Sequence, residues 1–256
     1  MLKSRTWTWL LGMALLTGCA ATTPPSRLGQ YIPAASSAQA IDQGLPISRP
    51  VRAALVVVAD RSAPEAARGI PGPAQDRLAD TLRERINQGF PIHIERVVNL
   101  GEVSGTAPDW TEVAKQQDVD YLLVIVLSST EQEYPVSLFL GWTTHRQPGF
   151  RRDNWSLAEG ALIDGRTGDL LLHAEGRGMA TLDSPTAPGN NQWYPVIYLR
   201  PQDPERRIWP PSYEGAPLTL RVVSMEQAAK RLAGNLQRAW VDQRDLELAA
   251  MMATTP

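Results

Sequence analysis

The segment Leu122-Leu-Val-Ile-Val-Leu127 constrains this chain more than any other. Six consecutive apolar residues, entered from Asp118-Val-Asp-Tyr121 and left through Ser128-Ser129-Thr130, read as a buried strand. The most apolar strand of a chain belongs at the centre of its sheet. A second buried strand is expected at Val51-Arg-Ala-Ala-Leu-Val-Val-Val58. Between the two, Pro73 suits a first helical turn, Leu78, Leu82 and Ile86 share one helix face, and Gly89 ends that helix. Ile92 to Leu100 reads as a strand, and Asp109-Trp-Thr-Glu112 as a capping box opening a short helix. Leu157–Ile163 and Leu170–Ala174 flank Asp164-Gly-Arg-Thr-Gly168, a hairpin turn by its Asp and Gly content. Ser224-Met-Glu-Gln227 reads as a capping box opening a last helix with Met225, Ala228, Leu232, Leu236 and Trp240 on one side. The expected class is α/β (α+β). A single mixed sheet has helices packed on it in the order β-α-β-α-β-hairpin-α, over residues 51–250, with a tail at 251–256.

Composition narrows the function. The 256 residues are 43% hydrophobic, enough for one ordinary core, with a single apolar run resembling a membrane segment. A polytopic membrane protein and a wholly disordered chain are excluded. Basic and acidic residues number 25 and 27, so no cationic excess exists to neutralise phosphates and nucleic acid is not an expected partner. One cysteine excludes a disulfide framework or a thiolate zinc cluster.

That cysteine carries the clearest motif. Lys3 and Arg5 precede an apolar stretch from Trp7 to Leu16, too short to span a bilayer but suited to a signal-peptide core. Leu16-Thr17-Gly18-Cys19 follows and resembles the bacterial lipobox, which places signal-peptidase recognition on Leu16, Thr17 and Gly18. The resemblance implies cleavage after residue 18 and a covalent diacylglyceryl and N-acyl lipid (palmitate-like chains) on Cys19, with no other cofactor. Ala20 in place of an aspartate implies the outer membrane, with the protein facing the periplasm and display at the cell surface as the alternative. Two or more acyl chains give stable anchoring. Loss of Lys3 and Arg5 leaves 23 basic against 27 acidic residues, a net charge of −4, so no polybasic segment assists. Residues 19–50, rich in Ala, Thr, Ser and Pro, are expected to form a flexible tether.

Two further stretches carry a looser resemblance. Val119-Asp-Tyr-Leu-Leu-Val124, and Leu162-Ile-Asp164 with Thr167-Gly168 and Leu170, are similar to a group of periplasmic α/β domains. The group includes the N-terminal domain of TolB, the curli-secretion lipoprotein CsgG and the penicillin-binding-protein activator LpoB. The resemblance covers roughly residues 51–180 and implies the same α/β layer; it assigns no chemistry.

No catalytic or metal constellation emerges. His93, His145 and His173 lack metal-ligand spacing, and Ser128-Ser129-Thr130 has no nucleophile elbow around it and is expected to leave the sheet. Gly176-Arg-Gly178 follows a hairpin instead of opening a helix, so it is not a phosphate loop. Asp164 and Asp169 are explained by their turn.

Aromatic content gathers instead in two inserts, 131–156 and 181–217, which hold ten of the 15 aromatic residues that follow Cys19. Long aromatic, proline-rich stretches favour recognition over disorder, and Trp, Tyr and Arg dominate binding hot spots. Trp142, Trp155, Trp193 and Trp209 with Arg151, Arg152, Arg206 and Arg207 are the candidate contacts. The inserts either form this surface or fold back over the sheet as core. The expected function is a non-enzymatic binding or assembly factor for an envelope protein or peptidoglycan. The alternatives are a CsgG-like oligomeric pore subunit and a hydrolase with an unrecognised site. Oligomeric state is not readable from the sequence.

Overall fold

The computed structural model describes residues 23–33, 51–63, 65–89, 91–102, 107–139, 146–186, 194–200, 207–210 and 214–254. In chain order the elements are α1 (Leu28–Tyr31), β1 (Val51–Asp60), α2 (Gly72–Gly89), β2 (Ile92–Glu102), α3 (Trp110–Gln117) and β3 (Tyr121–Phe139). β4 (Arg146–Asp164), β5 (Leu170–Pro185), β6 (Val196–Arg200), β7 (Arg207–Ile208) and α4 (Ala216–Thr254) follow. The seven strands form one mixed sheet, ordered β2-β1-β3-β4-β5-β6-β7. β1 runs parallel to β2 and β3, and every later neighbour is antiparallel.

Side chains alternate across the strands, and each face has its own core. Leu55, Val57, Leu123, Ile125 and Leu162 meet Leu78, Leu82 and Ile86 of α2 and Leu232 and Leu236 of α4. On the opposite face Ala54, Val56, Val58, Leu122, Val124 and Ile163 meet Leu28, Tyr31 and Ile32 around α1, and Trp110 and Ala114 of α3. β1 and β3 are apolar at nearly every position because both of their faces are covered. Each fully buried Leu, Ile or Val contributes about 1.5–3 kcal/mol.

The expected capping of α3 is present: Asp109 Oδ1 accepts the N–H of Thr111 at 3.0 Å and of Glu112 at 3.4 Å. Asp164 Oδ1 accepts the N–H groups of Arg166 and Thr167, and Gly168 takes φ +79°, so the β4–β5 turn uses both residues structurally.

Four expectations are corrected. Ser128-Ser129-Thr130 does not leave the sheet. β3 and β4 stay in unbroken register from Tyr121↔Asp164 to Phe139↔Arg146, so the first insert is mostly the outer half of one long hairpin. The second insert contains the end of β5, then β6 and β7. The last helix starts at Ala216, eight residues before the expected cap, and runs through the expected tail to Thr254. Ser224 is buried inside it and donates to Ser156 Oγ at 2.8 Å instead of capping. Finally, the segment expected to be a flexible tether is docked at 23–33, with Leu28, Tyr31 and Ile32 buried; residues 34–50 lie outside the described residues.

Helix α4 lies unusually close to β5 because two glycines allow it. A Cβ at Gly176 would sit 2.1 Å from Ala228 O, and one at Gly178 would sit 2.0 Å from Ser224 O. β6 pairs only with Met179–Asp183, and α4 side chains serve the β5 backbone at the end of that pairing and beyond it. Asn235 Nδ2 donates to Glu175 O and Arg231 to Arg177 O, both at 2.6 Å, while Gln227 Oε1 accepts from Met179 N–H at 2.9 Å. At the other end of the sheet, Asn87 of α2 receives the N–H of Ile94 and donates to its carbonyl. Edge strands left open are templates for aggregation, and amide side chains close these edges.

Candidate functional site

The site is built on the sheet face that carries α1, along β4 and β5 and beyond the reach of α3. Register places Glu159 opposite Val126 and Glu175, in a strand otherwise apolar from Leu157 to Ile163. Glu159 is 3% exposed. Its carboxylate is satisfied by the N-terminal arm: it accepts the N–H of Arg27 at 2.7 Å, the N–H of Leu28 at 3.2 Å and the Ser26 hydroxyl. Four residues on, Tyr31 donates its hydroxyl to Asp60 Oδ2 at 2.9 Å, and Trp110 Nε1 donates to Tyr31 O at 2.9 Å. Burial, then the bond to Asp60, pushes the Tyr31 phenol up to about 12. Burial works to raise the Asp60 carboxyl, but bonds from Ser62 and from Tyr31 outweigh it and hold that pKa below its ordinary value.

The same face continues outward as a polar ladder. Tyr134 donates to Asp153 Oδ2 at 2.8 Å and Thr181 to Asp153 Oδ1 at 2.6 Å. Arg151 grips Asp183 with two bonds, at 2.6 and 2.8 Å. That pairing raises the guanidinium pKa, and burial with the Asp153 bond raises Tyr134. The Arg207 guanidinium stands 5.7 Å from the Tyr198 ring centroid. On the α4 side, Arg221 makes a two-pronged bond to Glu131 at 2.7 and 2.9 Å, and Arg152 joins Glu131 and Glu133.

Between the arm and the ladder lies a cavity of about 540 Å³. Trp155, Leu157 and Met179 supply apolar lining; Arg177, Arg200 and Arg231 supply charge; Thr23 and Pro24 of the arm form part of its wall. A second cavity of about 500 Å³, lined by Ser26, Gln30, Glu159, His173 and Glu175 among others, is acidic.

The structure therefore separates the expected contact residues. Strand alternation puts Trp155 and Arg151 on one face and Arg152 on the other. Trp155 is 9% exposed and lines the cavity, whereas Trp209 is 46% exposed. Arg151 and Arg152 are held by carboxylates within the sheet. Leu16, Thr17, Gly18, Cys19, Trp142, Trp193 and Arg206 lie outside the described residues, as does His145. His93 and His173 are exposed on their strands. Among the described residues no group of three or more His, Cys, Asp or Glu is placed to hold a metal, and no helix is long and apolar enough to cross a membrane. Sequence reasoning missed the arm, Met179 and the arginines 177, 200 and 231. One signal was available: a lone glutamate at a core position of an apolar strand calls for a partner.

No protein-family model matches the chain, and no curated protein matches it. Solved structures similar to it include three from bacteria. The lipoprotein GNA1162 from Neisseria meningitidis is 14% identical at TM-score 0.28, over 56% of this chain and 88% of that one. A PelC dodecamer from Paraburkholderia phytofirmans is 15% identical at TM-score 0.26, over 50% and 70%. A neuraminyllactose-binding hemagglutinin homolog from Helicobacter pylori is 12% identical at TM-score 0.33, over 76% and 90%.

Proposed function

We propose that this chain is an outer-membrane lipoprotein, anchored through lipid on Cys19, facing the periplasm and acting without catalysis as a binding or assembly factor for an envelope partner. The docked arm is the observation that supports this most. With residues 26–31 clamped to Glu159 and Asp60, only four peptide steps separate Cys19 from Thr23 at the cavity wall. Those steps reach at most about 14 Å. An anchor that short holds the domain against the bilayer in a restricted orientation, where a tether of some thirty residues would let it tumble. The outer hairpin half then presents Phe139 (54% exposed) and Phe150 (40%), and the residue after β7 presents Trp209 (46%), aromatic residues of the kind enriched at protein interfaces.

The partner is an envelope protein or peptidoglycan. The pore reading draws less support, because the outer hairpin carries charge on both faces: Glu133 and Arg152 on one, Asp153 and Arg151 on the other. The test has two parts. Mass spectrometry of the native envelope protein is expected to find a triacylated Cys19 as residue one. A pull-down with the acyl-free chain is expected to capture a partner, and Trp193→Ala with Trp209→Ala to lose it while the thermal transition stays. Purified sacculi in place of lysate separate peptidoglycan from protein. An unmodified cysteine, or capture indifferent to both substitutions, overturns the proposal.

A further inference from the structure

We infer that the cavity beside the arm is a binding site for an anionic membrane phospholipid, with one acyl chain against Trp155, Leu157 and Met179 and the phosphate between Arg200 and Arg231. Three observations carry this. The lining combines an apolar floor with three guanidinium groups and contains no carboxylate among its residues. Arg177 is engaged by Glu175, at 2.9 and 3.3 Å. By contrast, Arg200 bonds to the Thr181 hydroxyl at 3.3 Å and Arg231 to the Arg177 carbonyl at 2.6 Å; among the described residues neither meets a carboxylate. Their charge stays available to an anion. An apolar pocket with a cationic rim is complementary to one chemical class, an acidic head on a hydrocarbon body.

The cavity's position selects the source of that ligand. Thr23 belongs to its wall, and the proposed lipid anchor at Cys19 can lie no farther than about 14 Å from Thr23. This step rests on the anchoring proposed above. It sets the mouth at the membrane surface, where phospholipid is far more concentrated than any soluble amphiphile. Two arginines at an anionic surface each strengthen binding by roughly fivefold. Occupation would fix the rotation of the domain about its anchor, which a lipid on a single residue does not do.

The chain from residue 20 onward retains every described residue and lacks both leader and anchor, so it tests the cavity alone. It is expected to sediment with vesicles of phosphatidylcholine and phosphatidylglycerol and not with phosphatidylcholine alone. Bromine-labelled acyl chains are expected to quench tryptophan fluorescence, with the quenched fraction falling in Trp155→Phe. Arg200→Gln and Arg231→Gln are each expected to weaken partitioning roughly fivefold. Arg231→Gln also removes a bond to the β5 edge, so Arg200→Gln, checked by its thermal transition, decides if the former unfolds. Equal binding to both vesicles, no bromine quenching, or binding unaffected by Arg200→Gln overturns the site. Inorganic phosphate displacing the chain completely at equal phosphate concentration would assign the arginines to a free anion and overturn the lipid. Because this chain carries no lipid of its own, failure here leaves the anchoring proposal standing. An unmodified Cys19 in the native protein removes only the membrane-proximity step.

Discussion

The carboxylate of Glu159 lies 2.7 Å from the backbone nitrogen of Arg27, a residue 132 positions earlier, and this contact turns part of an apparent linker into a fixed arm. Bonds to a charged acceptor contribute about 1.5–3 kcal/mol each, and here three converge on one buried group. Glu159→Ala is expected to destabilise the protein by about 2–3 kcal/mol. It should raise hydrogen exchange at residues 27–32 well before the sheet exchanges. Mass-spectrometric exchange checks this; protection of the arm equal to wild type would remove Glu159 from the clamp.

Tyr31 and Asp60 make the same arm sensitive to alkali. The Tyr31 pKa is raised in the fold, so the stability it contributes is full below the ordinary tyrosine value near 10. It is lost as pH rises through about 12, where a phenolate would face the Asp60 carboxylate. Asp60 has the opposite sign: its pKa is lowered, so its contribution holds above the ordinary aspartate range and fades as pH falls below it. Urea titrations of wild type and Tyr31→Phe should converge between pH 10 and 12. A constant gap across that window would show that Tyr31 ionises without strain.

Glycine at 176 is a packing requirement, and glycine at 234 is not. Gly176→Ala places a Cβ 2.1 Å from Ala228 O and 2.2 Å from Leu232 N, both backbone atoms that cannot swing away. Overpacking costs about 1–3 kcal/mol or more where backbone must move. Gly234→Ala meets nothing within 4 Å inside α4 and should stabilise by about 0.5–1 kcal/mol through helix propensity. Paired denaturant melts give both signs in one experiment.

Asn87→Ala removes the amide that occupies the N–H and C=O of Ile94, at 2.7 and 3.2 Å. A loss of about 1–2 kcal/mol is expected, since water replaces the amide only in part. An opened β2 edge should also promote concentration-dependent association, visible by light scattering. Unchanged stability and scattering would assign edge protection elsewhere.

Much of the inner half of the fold was legible because its signals are local. Leu122–Leu127 and Val51–Val58 announce buried strands by composition, Leu78, Leu82 and Ile86 announce a helix face by spacing, and Asp109 and Asp164 announce a cap and a turn through bonds to residues two or three positions away. Ser224 and Gln227 misled for the converse reason. Their type and spacing match a local cap, but their bonds go to Asn154, Ser156, Met179 and Arg200 across the sheet.

The sequence by itself determined the order of the inner elements and the mixed α/β class. Periodicity and turn chemistry act over a few residues and can be read there. Only tertiary structure decided that Glu131-Gln-Glu133 and Arg151-Arg152 continue strands instead of leaving them. A polar run forms a stable ladder only when its charges find partners, and for Glu131 that partner is Arg221, 90 residues away. Tertiary structure likewise decided that Ser26–Tyr31 is an arm, because a buried carboxylate on β4 and another on β1 needed donors the sheet could not supply.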